Sequence, residues 1–416
     1  MNGTVLSPGD TQSGQSLLNV PVRIAYLSVS DELGGSEVAL LETIKGIRRL
    51  RPAWRQQVIL PGRGPLLDRA EAAGADCVVL PMPPSLARLG EFGAGPAVLA
   101  ARLVPAALAL PAYLHRLRAV LTINRPDIIH SNGLKTHVLG VRAGGSSRVV
   151  WHLHEYIGGR RFTRFLLAKH QHRVAAMVAN SKSIAADVTA ALRPPAPMHV
   201  VYNAVDLETF APEGPREDLD RRAGLAPPAA PVVRVGLVAT FARWKGHEVF
   251  LRAMAAIPRE APVRGYVIGG PLYDTAGSQY AMDELQALAN RLGLAGRVGF
   301  TGFLPPADAM RALDVVVHAS TRPEPFGLVI AEAMACGRAV ITSASGGAAE
   351  LIEAGTDALT HTPGDAASLA RCVLRLATDP ALKHTLGAGA RAAACRRFDP
   401  DRLAHEMVAV YETARA

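Results

Sequence analysis

The feature that most constrains the fold is a rhythm in which short β-branched runs alternate with Ala- and Leu-rich stretches. The run Val22-Arg-Ile-Ala-Tyr-Leu-Ser is typical of a buried strand, and residues 37–50 follow it with apolar side chains at helical spacing. Such alternation predicts a parallel sheet covered by helices on both faces. Further strands are predicted at 57–60, 77–80, 128–130, 149–152, 177–179 and 199–202.

The rhythm is interrupted at 211–231, a segment rich in Pro, Asp, Glu and Arg with no strand pattern. It resumes with strands predicted at 232–239, 263–269, 298–301, 315–319 and 339–342. The 416 residues are also too many for one ordinary core.

We therefore predict an α/β chain of two Rossmann-like parallel-sheet domains, at 21–210 and 232–398. The segment 211–231 is the predicted linker or a surface excursion, and residues 1–20 are a predicted flexible tail. In open parallel sheets, ligands bind at the carboxyl ends of the strands. With two such domains, we expect the site in the cleft between them.

The charge and the cysteine content limit the classes of molecule that this chain can bind. The net charge is +9, but the basic residues are scattered and no nucleic-acid-binding motif is present, so we expect no nucleic acid. A phosphorylated substrate or an anionic membrane surface remains open. The four cysteines are far apart, which implies no zinc site and fits a reducing, cytoplasmic location. No secretory signal is present, and charges and prolines interrupt the apolar stretch 96–121, so we predict no spanning helix.

The strongest local pattern follows the strand predicted at 315–319. Prolines on both sides hold Glu324 in an extended loop. Gly327 permits close backbone approach, and a helix is predicted from Leu328, whose free N–H groups would attract an anion. Glu332 lies about one turn inside that helix. Two carboxylates that accept hydrogen bonds suit a polyhydroxylated ligand.

This Glu-x7-Glu pattern, with the core Glu-Pro-Phe-Gly-Leu, resembles the retaining glycosyltransferases of family 4, which have the GT-B fold. The resemblance implies that Glu324 contacts hydroxyl groups of a donor sugar and that Glu332 contacts the nucleotide ribose. It also implies that the backbone at Phe326, Gly327 and Leu328 lies against the donor phosphates.

Two segments of the first domain are similar to the same family. Gly34 and Gly35 resemble its glycine loop, where glycines before a helix let the backbone approach a diphosphate. The strand ending Trp151-His-Leu-His-Glu resembles the one that carries a histidine facing the donor sugar. We assign that role to His154, with His152, two residues earlier on the same strand face, as the rival.

Three segments of the second half also match. Lys245 matches a family cation that binds the donor diphosphate, but Thr240 stands where the family usually has an arginine, and nearby Arg243 is the candidate replacement. Gly347 resembles a glycine turn near the donor, and Glu350 is expected to begin a helix in a structural role. Residues 399–416 resemble the helix that crosses back onto the first domain.

The resemblance implies an enzyme that moves a sugar from a nucleotide-diphosphate sugar to a glycan or lipid-linked acceptor with retention, in polysaccharide or glycolipid synthesis. Lys245, Arg243 and the helix starts after Gly35 and Gly347 would neutralise the leaving diphosphate. No Asp-x-Asp, P-loop or dinucleotide fingerprint occurs, so we expect no metal and no cofactor beyond the donor itself.

Other functions remain open. A GT-B epimerase, a glycan phosphorylase and a sugar-nucleotide-binding scaffold without turnover are the alternatives. The acceptor is expected on the first domain. There, residues 84–120 are apolar with interspersed arginines, so they either rest on the inner face of a membrane as a peripheral contact or form ordinary buried helices.

Overall fold

The computed structural model of the protein describes residues 21–87, 96–193, 196–272 and 278–416, with the backbone alone for 96–102. The predicted tail at 1–20 lies outside the described residues. Within them the chain forms two separate parallel sheets, one after the other, as the sequence predicts.

The first sheet has seven parallel strands in the order β3-β2-β1-β4-β5-β6-β7. They are β1 (Arg23–Leu27), β2 (Arg55–Leu60), β3 (Asp76–Val79), β4 (Ile128–Ser131), β5 (Arg148–Leu153), β6 (Val174–Ala179) and β7 (Met198–Val200). The connecting helices are α1 (Gly35–Leu50), α2 (Pro65–Ala72), α3 (Pro84–Ala87), α4 (Pro96–Asn124), α5 (Leu134–Ala143), α6 (Arg161–His170) and α7 (Lys182–Ala191). Helices α1 and α2 cover one face, and the core on the other face takes side chains from α4 to α7.

The second sheet has six parallel strands in the order β10-β9-β8-β11-β12-β13. They are β8 (Val233–Val238), β9 (Val263–Ile268), β10 (Val298–Gly302), β11 (Val315–His318), β12 (Ala339–Thr342) and β13 (Leu359–Thr360). The helices of this half are α8 (Leu219–Arg222), α9 (His247–Ala256), α10 (Met282–Arg291), α11 (Pro306–Ala312), α12 (Leu328–Ala335), α13 (Ala366–Thr378) and α14 (Pro380–Arg397). Strands buried on both faces explain their nearly continuous apolar runs.

The last helix, α15 (Pro400–Arg415), returns to the first domain and packs along α1. Met407 and Tyr411 are wholly buried in the first core. Gly46 lets the two helices approach closely, because a Cβ there would lie 2.9 Å from the Cβ of Ala404. The chain therefore crosses between the domains twice.

The segment 211–231 is packed against the second domain rather than projecting as a surface excursion. Its short helix α8 buries Asp220, whose carboxylate accepts hydrogen bonds from Arg234, Arg264 and the hydroxyl of Tyr266. A buried carboxylate is stable only when it is paired in this way. The sequence pattern shows the polar residues but not that they meet.

Helix α4 continues through Pro105 and Pro111, two of the residues that interrupt the apolar stretch. No helix in the described ranges is long and apolar enough to cross a bilayer. Tyr113 and Leu117 are buried in the first core, so this part of the apolar stretch is an ordinary packed helix. Of residues 84–120, those from 88 to 95 lie outside the described part of the chain.

Candidate active site

Side chains from both domains meet at the carboxyl ends of the two sheets. The hydroxyl of Tyr156, after β5, donates to the carbonyl oxygen of Glu324 at 3.2 Å and lies 2.8 Å from Ser183 Oγ. On the same side, a Cβ added to Gly35 would lie 3.6 Å from Leu328 Cδ1. The glycine loop of the first domain therefore lies opposite the start of α12 in the second.

The loop that carries Glu324 is held from both sides by backbone hydrogen bonds. The N–H of Glu324 donates to the carbonyl of Ser345 at 3.0 Å, and the carbonyl of Glu324 accepts from the N–H of Gly347 at 2.7 Å. Gly327 then adopts φ = 102°, the left-handed region that favours glycine, and caps α12 without a side-chain hydrogen bond. The N-terminus of α12 is consequently left without a side-chain cap, next to Glu324.

The carboxylate of Glu324 is the centre of a buried polar cluster. Both its oxygens lie 2.9 Å from Lys245 Nζ, and one also accepts from Ser320 Oγ at 2.8 Å and lies 3.1 Å from His318 Nε2. Burial raises the pKa of Glu324, but Lys245 and His318 outweigh it, so the pKa lies well below its usual range. The group is therefore a fixed anion beside a fixed cation.

Glu332 differs from Glu324 in its partners. No donor in the described part of the chain bonds its half-buried carboxylate on α12, and burial raises its pKa to about 7. This carboxyl group is therefore close to half-ionised at neutral pH. A ligand that donates hydrogen bonds to it would favour the ionised form.

A tight turn positions Lys245. Gly246 has φ = 81°, and a Cβ there would lie 1.9 Å from the carbonyl oxygen of Ala319, so only glycine fits. The ammonium group lies 4.1 Å from the ring centroid of Trp244. Helix α9 begins directly afterwards, again without a side-chain cap.

Arg243, the candidate replacement for the family arginine, is bonded to side chains of its own domain. Its guanidinium makes two hydrogen bonds of 3.0 Å to Glu284 and lies 4.3 Å from the centroid of the Tyr280 ring. A bidentate carboxylate and an aromatic face together hold a guanidinium strongly. A diphosphate would have to compete with Glu284 for Arg243, and Lys245 is left as the cation next to Glu324.

On the first-domain side, Asn132 joins the glycine loop to His154. Its amide nitrogen donates to the carbonyl of Ser36 at 3.0 Å, and its oxygen lies 2.8 Å from His154 Nε2. Because the amide oxygen can only accept, His154 carries its proton on Nε2 and keeps Nδ1 as an acceptor. Sequence reasoning missed Asn132, although Ser-Asn-Gly directly after β4 is a signal for a functional loop.

The two candidate histidines lie together but in different environments. The ring of His152 is wholly buried, 4.0 Å between centroids from the half-buried His154. Its Nδ1 lies 3.2 Å from His130 Nε2, and His130 Nδ1 lies 2.7 Å from the hydroxyl of Tyr411 on α15. Burial lowers the pKa of His154 to about 4 and that of His130 to about 3. These side chains are therefore neutral at pH 7.

Gly347 and Glu350 join the domains in a way that the sequence did not indicate. Gly347 starts a four-residue 3-10 turn, Gly347–Glu350, and its N–H is taken by Glu324, so this start is not an open anion site. Glu350 ends that turn rather than beginning a helix. Its carboxylate accepts from the N–H groups of Lys182 and Ser183 at 2.8 Å, and so caps α7 of the first domain.

Comparison with known protein families agrees with this geometry. Residues 33–209 match the model described as Glycosyltransferase Family 4, and residues 232–379 match the model described as Glycosyl transferases group 1. Together the two regions take in most of the chain. This chain belongs to glycosyltransferase family 4.

Curated members of the family are similar over part of their length. The D-inositol 3-phosphate glycosyltransferase of Jonesia denitrificans is 35% identical over 260 residues, which is 58% of this chain and 57% of that protein. The one from Xylanimonas cellulosilytica is 36% identical over 228 residues, 52% and 51% of the two chains. The chain thus spans little more than half the length of the curated relatives it matches.

Solved structures match nearly the whole chain. Anabaena HepE in complex with UDP and glucose has a TM-score of 0.76 and 27% identity, covering 93% of this chain and 98% of that one. The sucrose-phosphate synthase of Thermosynechococcus elongatus has a TM-score of 0.75 at 21% identity, covering 94% and 98%. These matches confirm the predicted GT-B fold and give no support to the epimerase alternative.

Proposed function

We propose that this family member transfers a sugar from a nucleotide-diphosphate sugar to an acceptor, with retention of the anomeric configuration. The observation that carries the proposal is the ion pair between the half-buried Lys245 and the buried carboxylate of Glu324, which lies beside the uncapped start of α12 at the carboxyl end of the second sheet. A cation and free backbone N–H groups suit a leaving diphosphate, and a fixed carboxylate suits sugar hydroxyl groups.

The proposed roles follow from the contacts. Lys245 and the uncapped starts of α1 and α12 neutralise the leaving diphosphate, without a metal or another cofactor. Glu324 accepts hydrogen bonds from the donor sugar. His154, neutral and with Nδ1 open as an acceptor, orients a sugar hydroxyl from the first-domain side.

Glu332 fits the ribose. Its carboxylate has no donor within the described ranges, and a vicinal diol supplies two. Backbone groups of Phe326, Gly327 and Leu328 border the same helix start, where the phosphates would lie. These positions support a nucleotide that lies along α12 from ribose to diphosphate.

The donor proposed is a UDP-sugar, because the structure of HepE that matches nearly the whole chain was solved with UDP and glucose. For the acceptor, the curated relatives are named for D-inositol 3-phosphate, and the net charge of +9 suits an anionic molecule. We propose a glycan or lipid-linked acceptor that bears a phosphate and is used at the inner face of a membrane.

The test is a melting-temperature and turnover screen of purified protein with UDP-, GDP- and ADP-sugars, with and without EDTA. We expect one UDP-sugar to stabilise the protein and to release UDP slowly, also in EDTA. The matched pair Glu324→Gln and Glu353→Gln, the second on the surface away from the cluster, should lose and keep that turnover respectively. The anomeric proton of the product, read by NMR, reports retention.

A different result would favour the scaffold alternative. Binding of a nucleotide sugar with no UDP release, in the presence of phosphorylated polyols and lipid-linked glycans, would indicate a sugar-nucleotide-binding protein without turnover. Binding of no nucleotide sugar would contradict the proposal altogether.

A further inference from the structure

Helix α6 exposes aromatic side chains that the core does not need. Thr163, Leu166, Leu167 and His170 face inward at helical spacing, with Leu167 wholly buried. On the opposite side, Phe162 is 41% and Phe165 is 64% exposed. The helix thus has a second apolar stripe directed at solvent, and exposed aromatic clusters usually mark an interaction surface.

The same face is strongly basic. Arg161, Arg164 and Lys169 are exposed beside the two phenylalanines. Between Glu155 and Asp187 the chain has no Asp or Glu, and its Lys and Arg residues there are Arg160, Arg161, Arg164, Lys169, Arg173 and Lys182. This segment therefore attracts anions, and it contains no acidic residue that would offset its charge.

The position of these charges within the helix is unfavourable for folding. Two arginines lie in the first turn of α6, and no acidic residue accompanies them there. The N-terminus of a helix carries a partial positive charge, so cations in the first turn destabilise it. Exposed phenylalanines and first-turn arginines together indicate a face selected for an external partner that is both anionic and apolar.

We propose that this face of α6, formed by Arg161, Phe162, Arg164, Phe165 and Lys169, docks on an anionic lipid bilayer. Phenylalanines insert at the boundary between head groups and acyl chains, while arginines and lysine contact the lipid phosphates. A protein surface would satisfy the aromatic rings but would not require this density of one charge sign.

The location of α6 connects the surface to the cleft. Phe162 lies eight residues after His154, and the intervening loop is fixed by Asp187, which accepts from the N–H groups of Ile157 and Gly158 at 2.7 and 3.0 Å. A bilayer under α6 would therefore hold the first-domain side of the cleft near the membrane. The inference rests on the proposed function only in that a lipid-linked acceptor must be reached there.

The proposed membrane surface thus differs from residues 84–120, for which the sequence left a membrane contact and buried helices open. In the described part of that stretch, Arg116 and Arg118 donate to the carbonyls of Pro81 and Arg142, and Tyr113, Leu114 and Leu117 face the core. Val104 and Leu108 of α4 are exposed, in the same helical layer as α6. They can add to the contact, but they carry no comparable charge.

The experiment measures sedimentation of the full chain with vesicles of phosphatidylcholine alone or mixed with phosphatidylglycerol. We expect at least tenfold tighter binding to the anionic vesicles. Arg161→Gln with Arg164→Gln should weaken that binding about 25-fold, since each arginine near an anionic surface contributes about a factor of five. Phe162→Ser with Phe165→Ser should weaken it at least tenfold.

Matched controls use exposed residues elsewhere. Phe303→Ser, at a 60% exposed position of the second domain, and the pair Arg221→Gln and Arg291→Gln should bind vesicles as the unmodified chain does. The phenylalanine variants and the controls should keep their melting temperature, because the positions are exposed. The Arg161→Gln, Arg164→Gln variant should keep or slightly raise it, because cations in the first turn oppose the helix dipole. Turnover of a soluble donor without vesicles tests the transferase separately, and the α6 variants should retain it.

Three results would overturn the proposal. The first is equal binding to neutral and anionic vesicles, or none to either. The second is α6 variants that bind as tightly as the controls. The third is a change of oligomeric state in the Phe162→Ser, Phe165→Ser variant, read by light scattering, which would assign the face to a second copy of this chain.

Discussion

The buried polar side chains on the two sides of the cleft differ in their charge state. On the first-domain side, His154, His152 and His130 have no acidic partner among the described residues, so burial decides and keeps them neutral. On the second-domain side, Lys245 faces Glu324 directly, so attraction between charges outweighs burial and keeps the pair ionised. The first-domain side of the cleft, here called its first wall, therefore provides oriented hydrogen bonds from neutral groups, and the second-domain side, its second wall, provides charged groups.

This difference matches the two parts of the proposed donor. A sugar is neutral and is recognised by directed hydrogen bonds, whereas a diphosphate needs cations and backbone N–H groups. Residue types alone therefore do not define a site, because histidines near a carboxylate would have been charged. A substitution on one side of the cleft should leave the other side intact.

The largest effect is expected from Lys245→Met. It removes the cation next to the diphosphate and leaves Glu324 buried without its counter-ion, so we expect kcat/KM to fall about 10³-fold and the free energy of unfolding to fall by about 3 kcal/mol. The double variant Lys245→Met, Glu324→Gln should recover most of the stability and none of the activity. Recovery of both would contradict the role of the pair in turnover.

The opposite wall is tested by His154→Ala. Loss of one oriented hydrogen-bonding group should lower kcat/KM about 10²-fold, with little change in stability because the side chain is half-buried. A pKa of about 4 also means that His154 stays neutral from pH 5 to pH 8, so its ionisation should not shape the pH–rate profile there. An inflection near pH 6.5 that disappears in the variant would show that the wall is charged in part of that range.

Glu332 should make the affinity for the donor depend on pH. Its folded-state pKa of about 7 lies above the usual value, so the group is protonated below that pH and loses an acceptor for the ribose. We expect donor affinity to be constant above pH 7 and to weaken up to tenfold per unit as the pH falls below it. Titration calorimetry at several pH values measures this, and Glu332→Gln should give weak affinity at every pH. A decline that persists in Glu332→Gln would assign the titration to another group.

Whether a feature of the fold or of the site can be predicted from the sequence depends on the distance along the chain between the residues that form it. The two sheets can be predicted, because a strand that is buried on both faces is an apolar run. Strand β13 cannot be predicted, since two residues make no pattern. Lys245 and Glu324 were each identified within a local motif, but the sequence does not show that they pair across 79 positions. Asn132 was missed because its partners, Ser36 and His154, lie on other segments of the chain. His318 and Ser320 were missed although they lie within six residues of Glu324, because the local pattern does not show that their side chains turn towards it.

The same reasoning applies to contacts that the local patterns did not indicate. Arg243 lies near Lys245 in sequence, and its guanidinium is bonded to Glu284, 41 positions further on, so its role as a phosphate cation stays a prediction. Glu350 was placed at a helix start, and it does meet one, but the helix belongs to the other domain. Local spacing predicts which residue types are present and not which distant group satisfies them.

The smallest effect on turnover is expected from Tyr411→Phe. This substitution tests whether α15 influences the neutral histidines on the first-domain side of the cleft. The change leaves His130 Nδ1 without its partner, which costs about 1–3 kcal/mol of stability. Tyr266→Phe is the matched control, because it removes a buried tyrosine hydroxyl that donates to Asp220 in the second domain instead of to the histidines. If the contacts from Tyr411 through His130 and His152 hold the ring of His154, only Tyr411→Phe should lower kcat, by about tenfold. Equal kcat in the two variants, with similar melting temperatures, would show that the buried histidines stabilise the first domain without positioning His154.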